Sequence, residues 1–227
     1  MRPRSWSAGR IAAGATGLVV LLLALAQLLL PGIAARRIRA RVSRYGTIRS
    51  VSVSAWPAVK LLWGSADSVT VKAAALRLTT AQTAKVLSES GGAGDVKLTA
   101  ESVDIGVAHV SSATFEKHGD ALNAAATVTQ AEVRQALPEG VQVQLLESAD
   151  GAVRVQASGA LFGVPASVQA VAEAREGSLV VHPLGLLIET LRLTLFSEPH
   201  VYVEGVGASQ EGGASPSYRL TISARLQ

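Results

Sequence analysis

The sequence predicts a β-rich α+β domain. A curved antiparallel sheet wraps a few helical segments, behind an N-terminal transmembrane helix. Three observations carry that expectation. Period-two alternation of apolar and polar residues runs through most of the chain after Gly46. Two of the alternating runs slip phase by one residue in mid-course. A charge-free stretch of 23 residues, Ile11 to Ile33, precedes them all.

The N-terminal segments come first. "RPRSWSAGR" is a basic tail ending at residue 10, and Trp6 suits a membrane interface. "IAAGATGLVVLLLALAQLLLPGI" (11–33) would extend about 34 Å as a helix, enough for a hydrocarbon core of about 30 Å. A cleaved signal peptide ending near Ala35 is the alternative. The apolar region is longer than the usual 7–15 or so residues and no A-x-A site follows, which favours an uncleaved anchor. Three arginines precede the span and five follow it closely, a count that favours a cytoplasmic body. In "AARRIRARVSRYG" (34–46), Ile38, Val42 and Tyr45 recur at i, i+4 and i+7 beside a stripe of Arg37, Arg41 and Arg44. That is a basic amphipathic juxtamembrane helix closed by Gly46. Arg36, Arg37, Arg41 and Arg44 are expected to meet anionic lipid rather than to build the fold.

The body, residues 47–227, alternates. "IRSVSVSA" places Val51, Val53 and Ala55 on one face. "DSVTVKAAALRL" carries Val69, Val71 and Ala73 in phase, then Leu76 and Leu78 out of it. "DVKLTAESVDIGVAHV" does the same, with Val96, Leu98 and Ala100 followed by Val103, Ile105 and Val107. A bulge or sharp bend must absorb each slip, because otherwise the apolar set would turn to solvent. "VQVQLLES", "VRVQASGALFGVPASVQAVAEAREGSLVVHP", "HVYVEGVG" and "SYRLTISARL" bring the total to about nine strands. "GASQEGGASPS" (207–217) reads as a flexible loop. "TQAEVRQAL" starts at a capping Thr129 and stops before Pro138, and "TTAQTAKVLSES" is a second helix candidate. "WPAVKLLWG" (56–64) is apolar nearly all round. "PLGLLIETLRLTLF" (183–196) fits helical spacing through Leu184, Leu187, Ile188, Leu191 and Leu195, while Leu191, Leu193 and Leu195 also fit a strand. Core packing and a lip touching membrane or a lipid tail are both open for these two segments.

Charge excludes one function class. Eight of the 21 basic residues precede residue 46 and no acid lies before Asp67, so the remaining chain carries a net charge of −4. A nucleic-acid binder spreads its basic footprint over the folded domain, and this chain does not. With no cysteine there is no disulfide and no thiolate metal site. The four histidines are scattered and no G-x-S-x-G elbow exists, so no catalytic residue, metal site or cofactor is implied. Glu101 and Asp104 form the nearest approach to a carboxylate couple, and alternation puts them on opposite faces unless a bulge realigns them.

The order of elements resembles a known family. The apolar span, the Arg-rich helix, "SVSVSAWPAVKLLWGSADSVTVKAAALRL", "FGVPASVQAVAEAREGSLVVHP" and "HVYVEGVG…SYRLTISARLQ" are similar to the LmeA-like family of exported actinobacterial phospholipid-binding proteins. "LRLTLF" replaces the more proline-rich lead-in usual for that family. The resemblance implies export, a curved sheet around a helix and acyl-chain binding, with no catalytic motif. It thus opposes the orientation that the arginine count favours. The expected lipid-facing residues are Trp56, Trp63, Val155, Ala157, Val168, Ala170, Leu187, Leu191 and Phe196. The expected partners are phospholipid and an anionic membrane surface, with an envelope-synthesis membrane protein as a further candidate. The alternative is a non-enzymatic envelope scaffold whose sheet is filled by its own side chains and binds a membrane protein.

Overall fold

The computed structural model describes residues 7–79, 82, 92–105, 108–137, 139–161, 164–185, 192–212 and 216–227, with side chains of the first helix described from Ala24 onward. Helix α1 (Ser7–Val42) leads through a 3-10 turn (Ser43–Tyr45) into β1 (Gly46–Ser54). A second 3-10 turn (Ala58–Trp63) joins β1 to β2 (Ala66–Leu78). Then come β3 (Ala93–Ile105), β4 (Ala108–Val110), β5 (Ser112–His118) and β6 (Ala121–Thr129). Helix α2 (Gln130–Ala136) precedes β7 (Gln142–Ala149), β8 (Ala152–Leu161), β9 (Val164–Arg175) and β10 (Ser178–Leu184). Strands β11 (Leu193–Phe196), β12 (Val201–Glu211) and β13 (Ser217–Leu226) complete the chain.

The strands form two sheets rather than one. The larger has the order β1-β2-β3-β5-β6-β13-β12, with β4 also on β3; the smaller has the order β11-β10-β9-β8-β7. The expected all-antiparallel arrangement fails at one place, where β2 and β3 run parallel from Ala66↔Ala93 to Leu78↔Ile105. Alternation cannot report strand direction, because it fixes only which face a residue takes. Residues 207–211, expected in a loop, extend β12 and pair with β13 as far as Glu211↔Ser217. The candidate helix at 79–90 lies outside the described residues apart from Thr79 and Gln82.

Both phase slips are real, and they are one feature. Between Thr47 and Ile48 the partner on β2 steps from Ala75 to Ala73, leaving Ala74 unopposed. On β2 the buried residues are Val71 and Ala73, then Leu76; on β3, beyond Ala93 at its start, they are Ala100, then Val103. The two strands stay in step through the kink, Ala73↔Ala100 being followed by Ala75↔Ser102. One strand's bulge is thus matched by its neighbour's. The kink lets Ile48, Val71, Ala73, Leu76, Ala100 and Val103 share one core cluster, onto which Val42 of α1 and Val110 of β4 pack.

Helix α1 is part of this assembly. Ile38, Val42 and Tyr45 are half-buried while Arg36, Arg37, Arg41 and Arg44 are exposed. The neighbouring Arg39 does build the fold: its guanidinium donates to the carbonyls of Ile48 and Arg49 on the edge strand β1. Gly46 is obligatory at the junction, since a Cβ there would lie 2.0 Å from the Ala75 carbonyl oxygen. The expected span 11–33 falls on α1. Among the described residues, no helix is long and apolar enough to cross a membrane. Helix α2 forms where expected, with a capping box in which Thr129 Oγ1 accepts from the Glu132 amide and Glu132 accepts from the Thr129 amide.

The smaller sheet stands end-on against β12. Two of its hairpins have two-residue loops with positive φ at both positions, Asp150–Gly151 and Glu176–Gly177, the signature of type I′ turns. Their carbonyls accept from the outer edge of β12: Gly177 from the Val203 amide and Gly151 from the Val206 amide, each at 2.9 Å. Ser148 Oγ accepts from the Ala208 amide at 2.8 Å. A Cβ at Gly177 (φ 77) would come within 2.6 Å of the Tyr202 ring, whereas one at Gly119 (φ 58) would meet nothing within 4 Å. Both glycines carry the left-handed conformation, so alanine at either is strained by roughly 1–2 kcal/mol. Gly177→Ala should lose at least about 1 kcal/mol more than Gly119→Ala in chemical denaturation, because it also overpacks the seam between the sheets.

Candidate lipid-binding site

The four small aliphatic residues expected to face lipid do come together. Val155 lies opposite Ala170 and Ala157 opposite Val168 on the smaller sheet. Leu145 and Val143 extend the same face on β7, and Pro183 and Val181 extend it on β10. The face is not closed over. Val155, Ala157 and Ala170 are half-buried, and Val168 is 37% exposed. Only near β12 does it enter a packed interior, at Val153. Small side chains on adjoining strands about 4.8 Å apart leave a shallow apolar bed. Leu193 and Leu195 on the edge strand β11 are exposed beside it.

Phe196 belongs elsewhere. It sits opposite Leu179 and packs on the cluster of Leu122, Val201 and Ala224, so it ties the smaller sheet to the larger. Leu187 and Leu191 lie outside the described residues.

The tryptophans form a second surface. Trp56 and Trp63 flank the 3-10 turn that leaves β1, and β1 is the edge of the larger sheet opposite β12. They are 72% and 77% exposed, and Leu62 between them is 68% exposed. The turn is firmly held. Gln27 of α1 accepts from the Ala58 amide at 2.7 Å and donates to the Ala55 carbonyl at 3.0 Å. Asp67 accepts from the Trp56 amide and from Lys60 Nζ, and these two bonds hold its carboxyl below the usual carboxylate range. The sequence-predicted residues therefore mark two surfaces at opposite edges of one sheet.

Sequence reasoning missed a groove of about 350 Å³ on the larger sheet, where the Gly151 tip meets it. Thr114, Glu116, Asn123, Thr221 and Ser223 line it, and Gly205 and Gly207 open its floor. These residues come from four strands, and alternation marks them only as a polar face. The volume is at the lower end of small-molecule sites. The lining offers hydroxyl, amide and carboxylate groups, with Glu116 paired to Lys97 at 2.6 Å.

No catalytic constellation appears among the described residues, and none of them form a cluster able to hold a metal ion. Glu101 pairs with Arg49, whereas Asp104 pairs with Arg77 and His109, so the two acids do not act as a couple. His109 bridges β4 to two carboxylates, Asp104 on Nδ1 and Glu132 of α2 on Nε2 at 3.6 Å. The Asp104 hydrogen bond raises the imidazole above its ordinary value of 6.5.

A family model described as LmeA-like phospholipid-binding matches residues 23–221. The chain belongs to the LmeA-like phospholipid-binding family. The match begins inside the apolar run, so the family unit includes the later part of α1 that Gln27 and Arg39 fasten to β1. No curated protein matches the chain. Among solved structures, the lipid transfer and protein localization domain of human StarD13 is similar at 17% identity, covering 51% of this chain and 69% of that one with a TM-score of 0.18. A likeness of that size carries no statement about fold or ligand.

The His109 bridge has a pH signature. A raised imidazole contributes stability that is fully present below its unfolded value and is lost as pH rises through the folded value. Asp104 and Glu132 are both lowered, Asp104 chiefly by the His109 hydrogen bond. For Glu132, burial pushes upward and is outweighed by bonds from Ser111 and Thr129. Their contribution is lost as pH falls through their lowered values. His109→Gln should therefore melt below the parent between those two limits and converge with it in alkaline buffer. A constant difference across the whole range would count against the bridge.

Proposed function

We propose that this chain is a membrane-anchored, extracytoplasmic phospholipid-binding protein that supports lipid transport or envelope lipid and glycolipid assembly without catalysing a reaction. Membership of a phospholipid-binding family gives the ligand class. The observation that carries the rest is the half-open bed of Val155, Ala157, Val168 and Ala170. A face so thinly covered has apolar surface left to bury. A methylene gains about 0.8 kcal/mol when fully buried and roughly half of that on a half-open bed, so eight to ten of them outweigh the ordering of several side chains. The polar groove beside Gly151 offers hydrogen-bonding partners of the kind a headgroup needs.

In this reading residues 1–10 are a basic tail, 11–33 the anchor, 34–46 the juxtamembrane helix and 47–227 the lipid-binding body. The alternating Ser- and Thr-rich body and the long apolar run of α1 support tethering and export. Exposed Arg36, Arg37 and Arg44, with no acid before Asp67, supply attraction to anionic lipid.

Two measurements test the proposal. Native mass spectrometry of the detergent-extracted chain should find bound phospholipid, and Ala157→Phe or Ala170→Phe should retain less of it while remaining folded. If the bed instead meets a close-packed core, the same changes are overpacking and should destabilise by roughly 1–3 kcal/mol, in a parent that gains no stability from added lipid. Topology is read separately. A reporter that folds only outside the cytoplasm, fused after Gln227, should be active; activity of a cytoplasm-only reporter at that position would place the body inside.

A further inference from the structure

The turn between β1 and β2 exposes more large apolar surface than any packing need explains. We propose that Trp56, Leu62 and Trp63, together with Leu25, Leu28 and Leu29 of α1, form a wedge that sits in the interfacial layer of the lipid bilayer. All six are exposed, and the α1 leucines flank Gln27, which is bonded to the turn.

The backbone of the turn is prepared for a dry layer. Polar groups entering lipid must carry their partners with them. Here the Trp56 amide goes to Asp67, the Ala58 amide and the Ala55 carbonyl to Gln27, the Lys60 amide to Pro57, the Gly64 amide to Leu61 and the Ser65 amide to Lys60. Gln27, the longest polar side chain within the apolar run from 11 to 33, uses both ends of its amide on this turn. Pro31 has no amide to offer the Gln27 carbonyl one helical turn back, so the helix lacks one backbone hydrogen bond at the contact. Tryptophan's apolar body and N–H suit the headgroup boundary, and Lys60 can extend its amine to water while its stem stays among lipid.

The clamp also sets depth. Gln27 lies six residues before Ile33, about 9 Å along a helix axis. If the apolar run were in hydrocarbon as far as Ile33, the fastened turn would be drawn in with it. Within the proposed anchor 11–33 the wedge therefore leaves only the part before Gln27 in hydrocarbon and brings the part from Gln27 to Ile33 out through the interfacial layer, with Arg36, Arg37 and Arg44 farther out. The occupant is a bilayer rather than a protein because the flanking chain is uniformly basic, with eight arginines and no acid in the first 45 residues. The inference rests on the phospholipid-binding reading but not on which sheet face holds an acyl chain.

The test uses the full chain with Trp6→Phe, so that emission comes from Trp56 and Trp63 alone. It is reconstituted in vesicles of phosphatidylcholine and phosphatidylglycerol, with and without bromine on the acyl carbons nearest the glycerol. The expected result is blue-shifted emission that brominated lipid quenches roughly two-fold, as interfacial tryptophans require. Gln27→Ala should weaken the quenching, and Leu62→Ser should shift the emission toward that of water. Water-like, unquenched emission overturns the wedge. So does blue-shifted emission that bromine does not quench, which would mean that a second copy of the chain covers the turn. Phospholipid carried by the detergent-extracted chain before reconstitution, read by native mass spectrometry, separates the two ideas. If lipid is retained without quenching, only the wedge falls; if lipid is absent, the phospholipid-binding reading falls on its own evidence.

Discussion

The architecture depends on how the free edge of β12 is satisfied. An edge strand presents unpaired amides and carbonyls that invite pairing with another chain. Here the tips of two hairpins fill that role, Gly177 taking the Val203 amide and Gly151 the Val206 amide. Because the partners are turns rather than a strand, the second sheet cannot simply continue the first. It runs away from it, and its apolar face is only half covered at Val155, Ala157, Val168 and Ala170. The same contact that closes one edge therefore opens the bed on which Val155, Ala157, Val168 and Ala170 lie. A further strand in place of the tips would have produced a wider sheet with no such bed.

The other edge is handled differently. There α1 lies beside β1, and its side chains do the bonding: Arg39 to the Ile48 and Arg49 carbonyls, Gln27 to the turn beyond. The matched kinks of β2 and β3 bend the sheet where α1 ends, so Val42 reaches the core. The N-terminal helix and the core are thus mechanically joined at this edge. A pull on the helix is felt by β1 directly.

Much of this was legible in the chain. The slip from Ala73 to Leu76 and from Ala100 to Val103 marked the kink, because burial on a kinked strand must follow the backbone's change of face. Thr129 and Pro138 bounded α2, because caps and proline act locally. The quartet on β8 and β9 was visible because strand periodicity assigns faces without knowledge of partners. What alternation could not supply was direction and neighbourhood. Strand β2 beside β3 in parallel, the hairpin tips on β12, and the groove between Thr114 and Thr221 all depend on which distant segments meet. Phe196 shows the limit: it stands among the expected lipid-facing residues, yet its place opposite Leu179 turns it into the second core cluster. Trp56 and Trp63 share the quartet's apolar chemistry, and topology separates them from it across the width of the larger sheet.

The last strand has a temporal consequence. Strand β13 comes last in strand order, yet it lies inside the larger sheet, between β6 and β12. Until it arrives, β6 has one open side and β12 has no ladder on which to form, so the seat for the second sheet does not exist. A chain emerging from a ribosome or a translocation pore can close the β1–β2 and β5–β6 hairpins early, but these are local pieces with little apolar area to bury. Assembly of the whole must wait for Leu226, and such non-local closure is slow. The larger sheet thus stays open along β6 while twelve strands are already made, and takes its final shape only once the thirteenth has been delivered.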